Sequence, residues 1–218
     1  MNTQLCLSAD LPQLLRESLG SVRAAGHWRR WLSPQLSYGR HDGPSRSDAR
    51  QAAVAILLWW ENSTWHVPLT VRSQSLATHG GQVSFPGGAI EPDETSQETA
   101  HRELVEELFV GSTTQEIRVE WLGELEPLFV FVSNQLITPW LGRLVDPPTW
   151  RPQSAEVERV LSLPLIDLIS CTQPDAMQVN RGSLAFTAPC LNLGDFPVWG
   201  STGVLLGELR YRLEAAGP

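Results

Sequence analysis

The sequence predicts an α/β domain at residues 51–216, preceded by an N-terminal helix and linker at residues 1–50. Three observations support this prediction. Apolar, strand-like segments follow a polar stretch, a helix with a capping signal interrupts them, and a second helical pattern ends the chain. Strands and helices mixed within 218 residues fit one α/β domain with an extension.

The N-terminal part contains one predicted helix and one predicted linker. Residues 11–25 place Leu11, Leu14, Leu15 and Leu19 on one stripe, which is the apolar spacing of a helix. Residues 33–50 are polar and contain Gly and Pro, which is typical of a linker or surface arm.

The next segment predicts two strands and a helix. Residues 51–73 form two strand-like runs around the turn at 61–64, and residues 53–60 are apolar throughout, as in a strand covered on both faces. Thr95 and Glu98 fit a capping box. The helix that follows carries Ala100, Leu104 and Leu108 on one buried stripe.

The remainder of the chain predicts more strands and a closing helix. Residues 117–131 and 134–144 have strand patterns, and residues 154–170 indicate a polar turn, a short strand and a short helix. Residues 182–200 indicate strand and turn. Residues 201–216 indicate a helix with Ser201 or Thr202 as its cap.

Charge and cysteine content restrict the function classes. The net charge of −8 and the pI near 5.1 disfavour non-specific binding of nucleic acid. An anionic small molecule would need local arginines or metal ions. Three distant cysteines favour a reducing compartment, and no apolar run approaches the ~20 residues that span a membrane. The expectation is a cytoplasmic protein without membrane contact, and a homodimer is left open as its assembly.

Acidic residues crowd the helix after Thr95. Glu103, Glu106 and Glu107 fall on the face beside the buried stripe, where they should repel one another. Solvation alone could offset this repulsion, and so could a divalent cation such as Mg²⁺ or Mn²⁺, which prefers hard oxygen ligands. Arg102 lies four residues before Glu106 and is expected to orient a carboxylate.

This pattern, with the Gly87-Gly88 pair before the helix, resembles the Nudix hydrolase box. The matching positions are Gly88, Glu94, Arg102, Glu103, Leu104, Glu106, Glu107 and Val110. One position departs, because Phe109 stands where the family has a late Gly that usually ends the helix.

The resemblance implies a mixed sheet sandwiched between helices and hydrolysis of a nucleoside diphosphate linked to another group. It implies Glu103 and Glu107 as the main ligands of Mg²⁺ or Mn²⁺. Glu106 would be a further ligand, directly or through water, and the Gly87 carbonyl could complete the coordination. Arg102, Glu106 and Glu107 form the expected catalytic set.

The preceding residues 69–88 resemble the marker of the coenzyme A pyrophosphatase branch. The matching positions are Leu69, Arg72, Ser73, His79, Gly81, Gln82, Val83, Phe85, Pro86, Gly87 and Gly88. The departures are Thr70 and Val71 in place of a Leu-Thr pair, and Ala77 where the marker has Arg. Residues 198–209 are also similar to the branch's C-terminal segment.

This second resemblance implies cleavage of coenzyme A to 3′,5′-ADP and 4′-phosphopantetheine. Arg72, His79, Gln82 and Gly88 are the expected substrate-binding residues. Each has an alternative: Arg72 could pair with a surface carboxylate, His79 could be structural or solvated, and Gln82 could fix the loop.

Other interpretations stay open at this stage. The substrate could be ADP-ribose, a dinucleotide or a nucleoside triphosphate, and the general base could be Glu106, Glu124 or Glu126. The chain could also be a catalytically silent Nudix module that binds a nucleotide or a protein. Retention of Glu103, Glu106 and Glu107 argues against such a module, because silent modules usually lose these carboxylates.

Overall fold

The computed structural model describes residues 3–21, 31–33, 45–76, 78–181 and 184–216. A short 3₁₀ turn at Leu5–Leu7 precedes four helices: α1 (Leu11–Ser21), α2 (Ser96–Leu108), α3 (Leu165–Ser170) and α4 (Gly200–Ala215). The strands are β1 (Arg50–Glu61), β2 (Thr64–Arg72), β3 (Val83–Ser84), β4 (Gly87–Ala89), β5 (Val119–Glu124), β6 (Leu128–Val130), β7 (Gln135–Leu144), β8 (Val157–Pro164), β9 (Asp175–Arg181), β10 (Leu184–Leu193) and β11 (Phe196–Val198).

The larger sheet has eight strands and is mixed. Its main path runs β3-β2-β1-β7-β5, while β4 pairs with β1, β6 with β7, and β8 with β2. The pairing of β1 with β7 is parallel, and the other pairings described for this sheet are antiparallel. Because both β4 and β2 depend on β1, this strand sets the position of the loops at either end.

Helices cover both faces of the sheet. On β1, Ala53, Ala55 and Leu57 pack in the same buried cluster as α2. Ile56 and Leu58 point the other way, into the larger cluster formed with α1, α3 and α4. The structure therefore confirms the mixed sheet between helices and the expectation that the first strand is buried on both faces.

The N-terminal helix is part of this core. Leu11 and Leu15 of α1 are fully buried, and Leu14 and Leu19 pack against the same cluster. The stripe predicted for this helix is thus confirmed. Residues 22–25 of the predicted helix, and residues 34–44 of the predicted linker, lie outside the described residues.

The turn between β1 and β2 is a two-residue hairpin loop. Asn62 and Ser63 have positive φ values of 49° and 63°, and Trp60 pairs with Trp65 across the ladder. Positive φ at both central residues matches the right-handed twist of the flanking strands. The predicted turn at 61–64 is confirmed.

The helix α2 ends without the family's glycine. Phe109 is its C-cap, with φ of −135°, and its N–H donates to the Val105 carbonyl. The Phe109 ring packs against Trp150 with centroids 5.2 Å apart. A positive φ comes two residues later, at Gly111, with a value of 84°. The chain therefore leaves α2 without a left-handed residue directly after the helix, and the packed ring of Phe109 holds the helix end in place.

Two features at the C-terminal end differ from the sequence prediction. The strand β9, which pairs with β10 in a separate three-stranded sheet β11-β10-β9, was not predicted. The predicted cap of α4 is wrong, because Trp199 is its N-cap and makes no side-chain cap hydrogen bond. The Thr202 hydroxyl instead donates to the Val83 carbonyl at 2.9 Å. This bond fastens the start of α4 to β3.

Candidate metal and active site

The helix α2 is fixed at its N-terminus by the predicted capping box. The Glu98 N–H donates to the Thr95 hydroxyl at 3.2 Å, and the Thr95 N–H donates to the Glu98 carboxylate at 2.8 Å. Ala100, Leu104 and Leu108 are fully buried against the sheet. With this stripe anchored, the adjacent face of α2 presents its glutamates toward β4.

Glu107 is a buried carboxylate, with 4% of its surface exposed. Its Oε1 accepts the Gly87 N–H at 3.1 Å. Burial raises the pKa of Glu107 to about 8; the Gly87 N–H and the positive charge of Arg72 lower it, while the charges of Glu103 and Glu156 raise it. A buried carboxylate among other carboxylates is a group that a cation would stabilise in its ionised form.

Glu103 lies directly against the backbone of Gly88. A Cβ at position 88 would overlap the Glu103 carboxylate, and a Cβ at position 87 would overlap the Ala53 carbonyl of β1. Gly87 is therefore required by the backbone of β1, whereas a side chain at position 88 would force the Glu103 carboxylate to move. Burial raises the pKa of Glu103, and hydrogen bonding and charge from Arg102 lower it.

Arg102 donates hydrogen bonds to three carboxylates of the site. Its Nε donates to Glu94 at 2.9 Å, and its Nη1 donates to Glu103 at 2.8 Å and to Glu106 at 3.1 Å. Hydrogen bonding from Arg102 lowers the pKa of Glu94 to about 2, and the Thr99 hydroxyl, which donates to Glu94, acts in the same direction. Arg102 thus pairs with carboxylates, as expected, and its place in the catalytic set stays a prediction.

Arg72 reaches the same site from the end of β2. Its side chain is partly buried, and its Nε has no hydrogen-bond partner. Its charge lowers the pKa of Glu107, and no ion pair of Arg72 occurs within the described residues. The alternative pairing with a surface carboxylate is therefore not observed there.

The loop at 73–82 contains the other two predicted substrate-binding residues. His79 has a positive φ of 60° and is exposed. Its Nδ1 lies 2.9 Å from the Gln82 Oε1, and the Arg72 N–H donates to the Gln82 carbonyl at 2.9 Å. Gln82 thus fixes the loop in this structure. Binding of substrate by His79 and Gln82 stays a prediction, and Ala77 lies outside the described residues.

One acidic residue near the site was missed by the sequence analysis. Glu156 precedes β8, and the negative charge of Glu156 raises the pKa of both Glu103 and Glu107. Its carbonyl accepts the Ser73 N–H at 2.8 Å, and the next residue, Val157, pairs with Arg72. The pairing of β2 with β8 brings this carboxylate to the site across a long separation in sequence. The only local sequence signal for a role of Glu156 was its position just before a predicted strand.

The donor set fits a hard divalent cation that keeps part of its hydration shell. In the described residues, no three His, Cys, Asp or Glu side chains converge as a preformed metal site. On this face of α2, Glu107 is buried and Glu103 is partly buried, whereas Glu106 is exposed. Mg²⁺ commonly takes one or two carboxylates, several waters and substrate phosphates. Gly87 contacts the site through its N–H, and ligation by its carbonyl stays a prediction.

Of the other general-base candidates, Glu126 is placed on a different side of the sheet. Its backbone N–H donates to the Glu208 carboxylate of α4 at 3.0 Å.

None of the described helices has the length and apolarity needed to cross a lipid bilayer.

Comparisons of the sequence with known proteins all indicate the same family. A model of the NUDIX domain matches residues 49–182. Nudix hydrolase 3 of Caenorhabditis elegans is 33% identical over 218 residues, which cover 91% of this chain and 83% of that protein. A mitochondrial coenzyme A diphosphatase of Homo sapiens is 34% identical over 181 residues, 79% of this chain and 74% of that protein.

A solved structure with the same fold is a Nudix hydrolase from M. smegmatis. It has a TM-score of 0.53 and 15% sequence identity, and the match covers 86% of this chain and 96% of that one.

Proposed function

The chain belongs to the Nudix hydrolase family, and from this premise we propose that it hydrolyses the diphosphate of coenzyme A or an acyl-coenzyme A. The products are 3′,5′-ADP and 4′-phosphopantetheine. The observation that carries the proposal is the position of Arg72, which belongs to the branch-like segment and has an unpartnered Nε beside Glu107. Similarity to a human coenzyme A diphosphatase supports the same substrate.

The reaction places specific demands on the protein. Water attacks one phosphorus of the diphosphate, its bond to the bridging oxygen breaks, and that oxygen leaves with the electron pair. A divalent cation, used generally in this family, supplies charge neutralisation of the phosphates and a more acidic water. Glu103 and Glu107 are the residues that would hold it, with Glu106 available from the exposed edge.

The remaining side chains bind and orient. The Arg72 Nε is available to donate to a phosphate oxygen, as a charge-assisted hydrogen bond. Arg102 holds Glu103 and Glu106 in fixed directions through its Nη1. His79 and Gln82 lie on the loop next to Arg72, where they can contact the part of the substrate beyond the diphosphate.

A second candidate keeps the chemistry and changes the substrate to ADP-ribose, a dinucleotide or a nucleoside triphosphate. The departures from the branch marker at positions 70, 71 and 77 support considering it. A catalytically silent module is disfavoured by the retention of Glu103, Glu106 and Glu107. Thermal stabilisation by Mn²⁺ separates a working metal site from a lost one, because a ligand of the folded state raises apparent stability.

The test is incubation of the purified protein with coenzyme A, ADP-ribose, NADH and dATP, each with Mg²⁺ or Mn²⁺, followed by product identification by mass. We expect 3′,5′-ADP and 4′-phosphopantetheine from the unmutated protein and from Glu61→Gln, an exposed carboxylate at the far end of β1. We expect no product from Glu107→Gln.

Cleavage of another diphosphate in place of coenzyme A would contradict the substrate and leave the reaction class intact. If no substrate is cleaved under any condition, the silent binding module becomes the better interpretation.

A further inference from the structure

A cavity of about 380 Å³ lies between the loop at 73–82 and the three-stranded sheet. The loop contributes Gln74 and Gln82 to its wall, and β9 contributes residues 177–180. Trp199, at the junction of β11 and α4, completes the wall. The cavity thus adjoins the branch-like segment and uses a sheet that the family match, which ends at residue 182, includes only in part.

The chemistry of this cavity is neutral. None of its lining residues is Asp, Glu, Lys, Arg or His. Four of them carry side-chain amides, which both donate and accept hydrogen bonds: Gln74, Gln82, Gln178 and Asn180. The apolar contributors are Met177, Val179, Pro197 and Trp199.

The two halves of coenzyme A differ sharply in charge. The 3′,5′-ADP half carries phosphate groups whose burial without cationic partners is costly. The pantetheine arm is uncharged and consists of two amides joined by short apolar segments. We propose that this cavity is the pantetheine subsite, an inference that rests on the proposed function.

The strand β9 beside the cavity also has backbone groups that suit amides. Within the described residues, β9 pairs with β10 alone, at the edge of its sheet, so alternate N–H and C=O groups of β9 point away from β10. The Gln178 amide is held by a 2.8 Å hydrogen bond to the Thr187 hydroxyl, so its orientation is fixed before any ligand binds. An extended arm can bond along this edge as a short additional strand would.

The cavity lies within reach of the metal-binding carboxylates. Gln82 is in the cavity wall, and Gly87 donates to Glu107. The five residue-to-residue steps from Gln82 to Gly87 span at most about 17 Å when extended. A pantetheine arm bound in the cavity can therefore place its phosphate end near Glu103 and Glu107.

The experiment compares Asn180→Trp, which fills the cavity, with Ala176→Trp, an exposed position on the same strand outside the cavity wall. Steady-state hydrolysis of coenzyme A is measured with Mg²⁺, together with inhibition by pantetheine and by 3′,5′-ADP. We expect Asn180→Trp to raise KM at least tenfold with kcat within threefold. Inhibition by pantetheine should weaken similarly, inhibition by 3′,5′-ADP should change less than twofold, and Ala176→Trp should match the unmutated protein.

An unchanged KM in a folded Asn180→Trp variant would overturn the subsite and leave the proposed function standing. Selective loss of 3′,5′-ADP inhibition would assign the cavity to the nucleotide half and overturn the proposal as well. Failure of the unmutated protein to cleave coenzyme A would reject the proposed function and, with it, pantetheine as the occupant. Thermal unfolding of Asn180→Trp, compared with that of the unmutated protein, separates loss of space in the cavity from loss of folding.

Discussion

Replacing Glu107 with Gln should stabilise the metal-free protein at high pH and have little effect near pH 4. The folded-state pKa of Glu107 is about 8, against an ordinary value of 4.5. Between these values the folded protein holds a proton that the unfolded chain has released. The contribution of this group to stability therefore falls as pH rises from 4.5 to about 8, and the loss is complete above that range.

The magnitude follows from the pKa difference. At about 1.4 kcal/mol per pKa unit, the rise from 4.5 to about 8 corresponds to about 5 kcal/mol at pH 9. Gln has nearly the same shape, and its side-chain oxygen can still accept the Gly87 N–H. The variant removes the buried charge without opening a cavity.

The assay is urea-induced unfolding of both proteins in EDTA between pH 4 and pH 9, with Glu61→Gln as the exposed control. The stability difference should grow with pH in favour of Glu107→Gln. Saturating Mn²⁺ should reverse the order at pH 8, because the ionised carboxylate of the unmutated protein then has a cation. A stability difference that stays constant across this pH range would refute the assignment of Glu107 as a desolvated, titrating carboxylate.

Three further substitutions test the surroundings of the site. Gly88→Ala should displace Glu103 and reduce activity at least a hundredfold, as measured by product formation at saturating metal. Arg102→Ala should cost about 2–4 kcal/mol in urea unfolding, because it leaves partly buried carboxylates without their partner; no loss would contradict its orienting role. Thr95→Ala should cost about 1 kcal/mol as a lost helix cap and leave kcat nearly unchanged, whereas a large loss of kcat would mean that the cap also sets the active-site geometry.

Local signals in the sequence were enough to predict the elements that build the candidate metal site. The capping box at Thr95 needs only residues three apart, and the stripe through Ala100 and Leu104 needs only helical periodicity. The unbroken apolar run of β1 predicted burial on both faces. The positions of the glutamates on α2 followed directly from that helix.

Features that depend on contacts between distant parts of the chain could not be predicted from the sequence. Glu156 reaches the site through the ladder between β2 and β8, for which the sequence carries no local mark. The strand β9 is mostly exposed at the edge of a small sheet, so it lacks a clear burial alternation. Thr202 resembled a helix cap, but its hydroxyl is used in a tertiary bond to Val83.

The hydrogen bonds of Arg102 imply that cation binding at this candidate site would be an exchange, in which the cation replaces Arg102 as the partner of the carboxylates. One guanidinium nitrogen already contacts Glu103 and Glu106, so it acts as a built-in counter-ion that keeps the acidic face of α2 from repelling itself. An incoming metal ion must compete with this resident charge, and its net affinity is the difference between the two interactions. The helix can therefore fold before any metal arrives, and occupancy should follow the concentration of free metal ion.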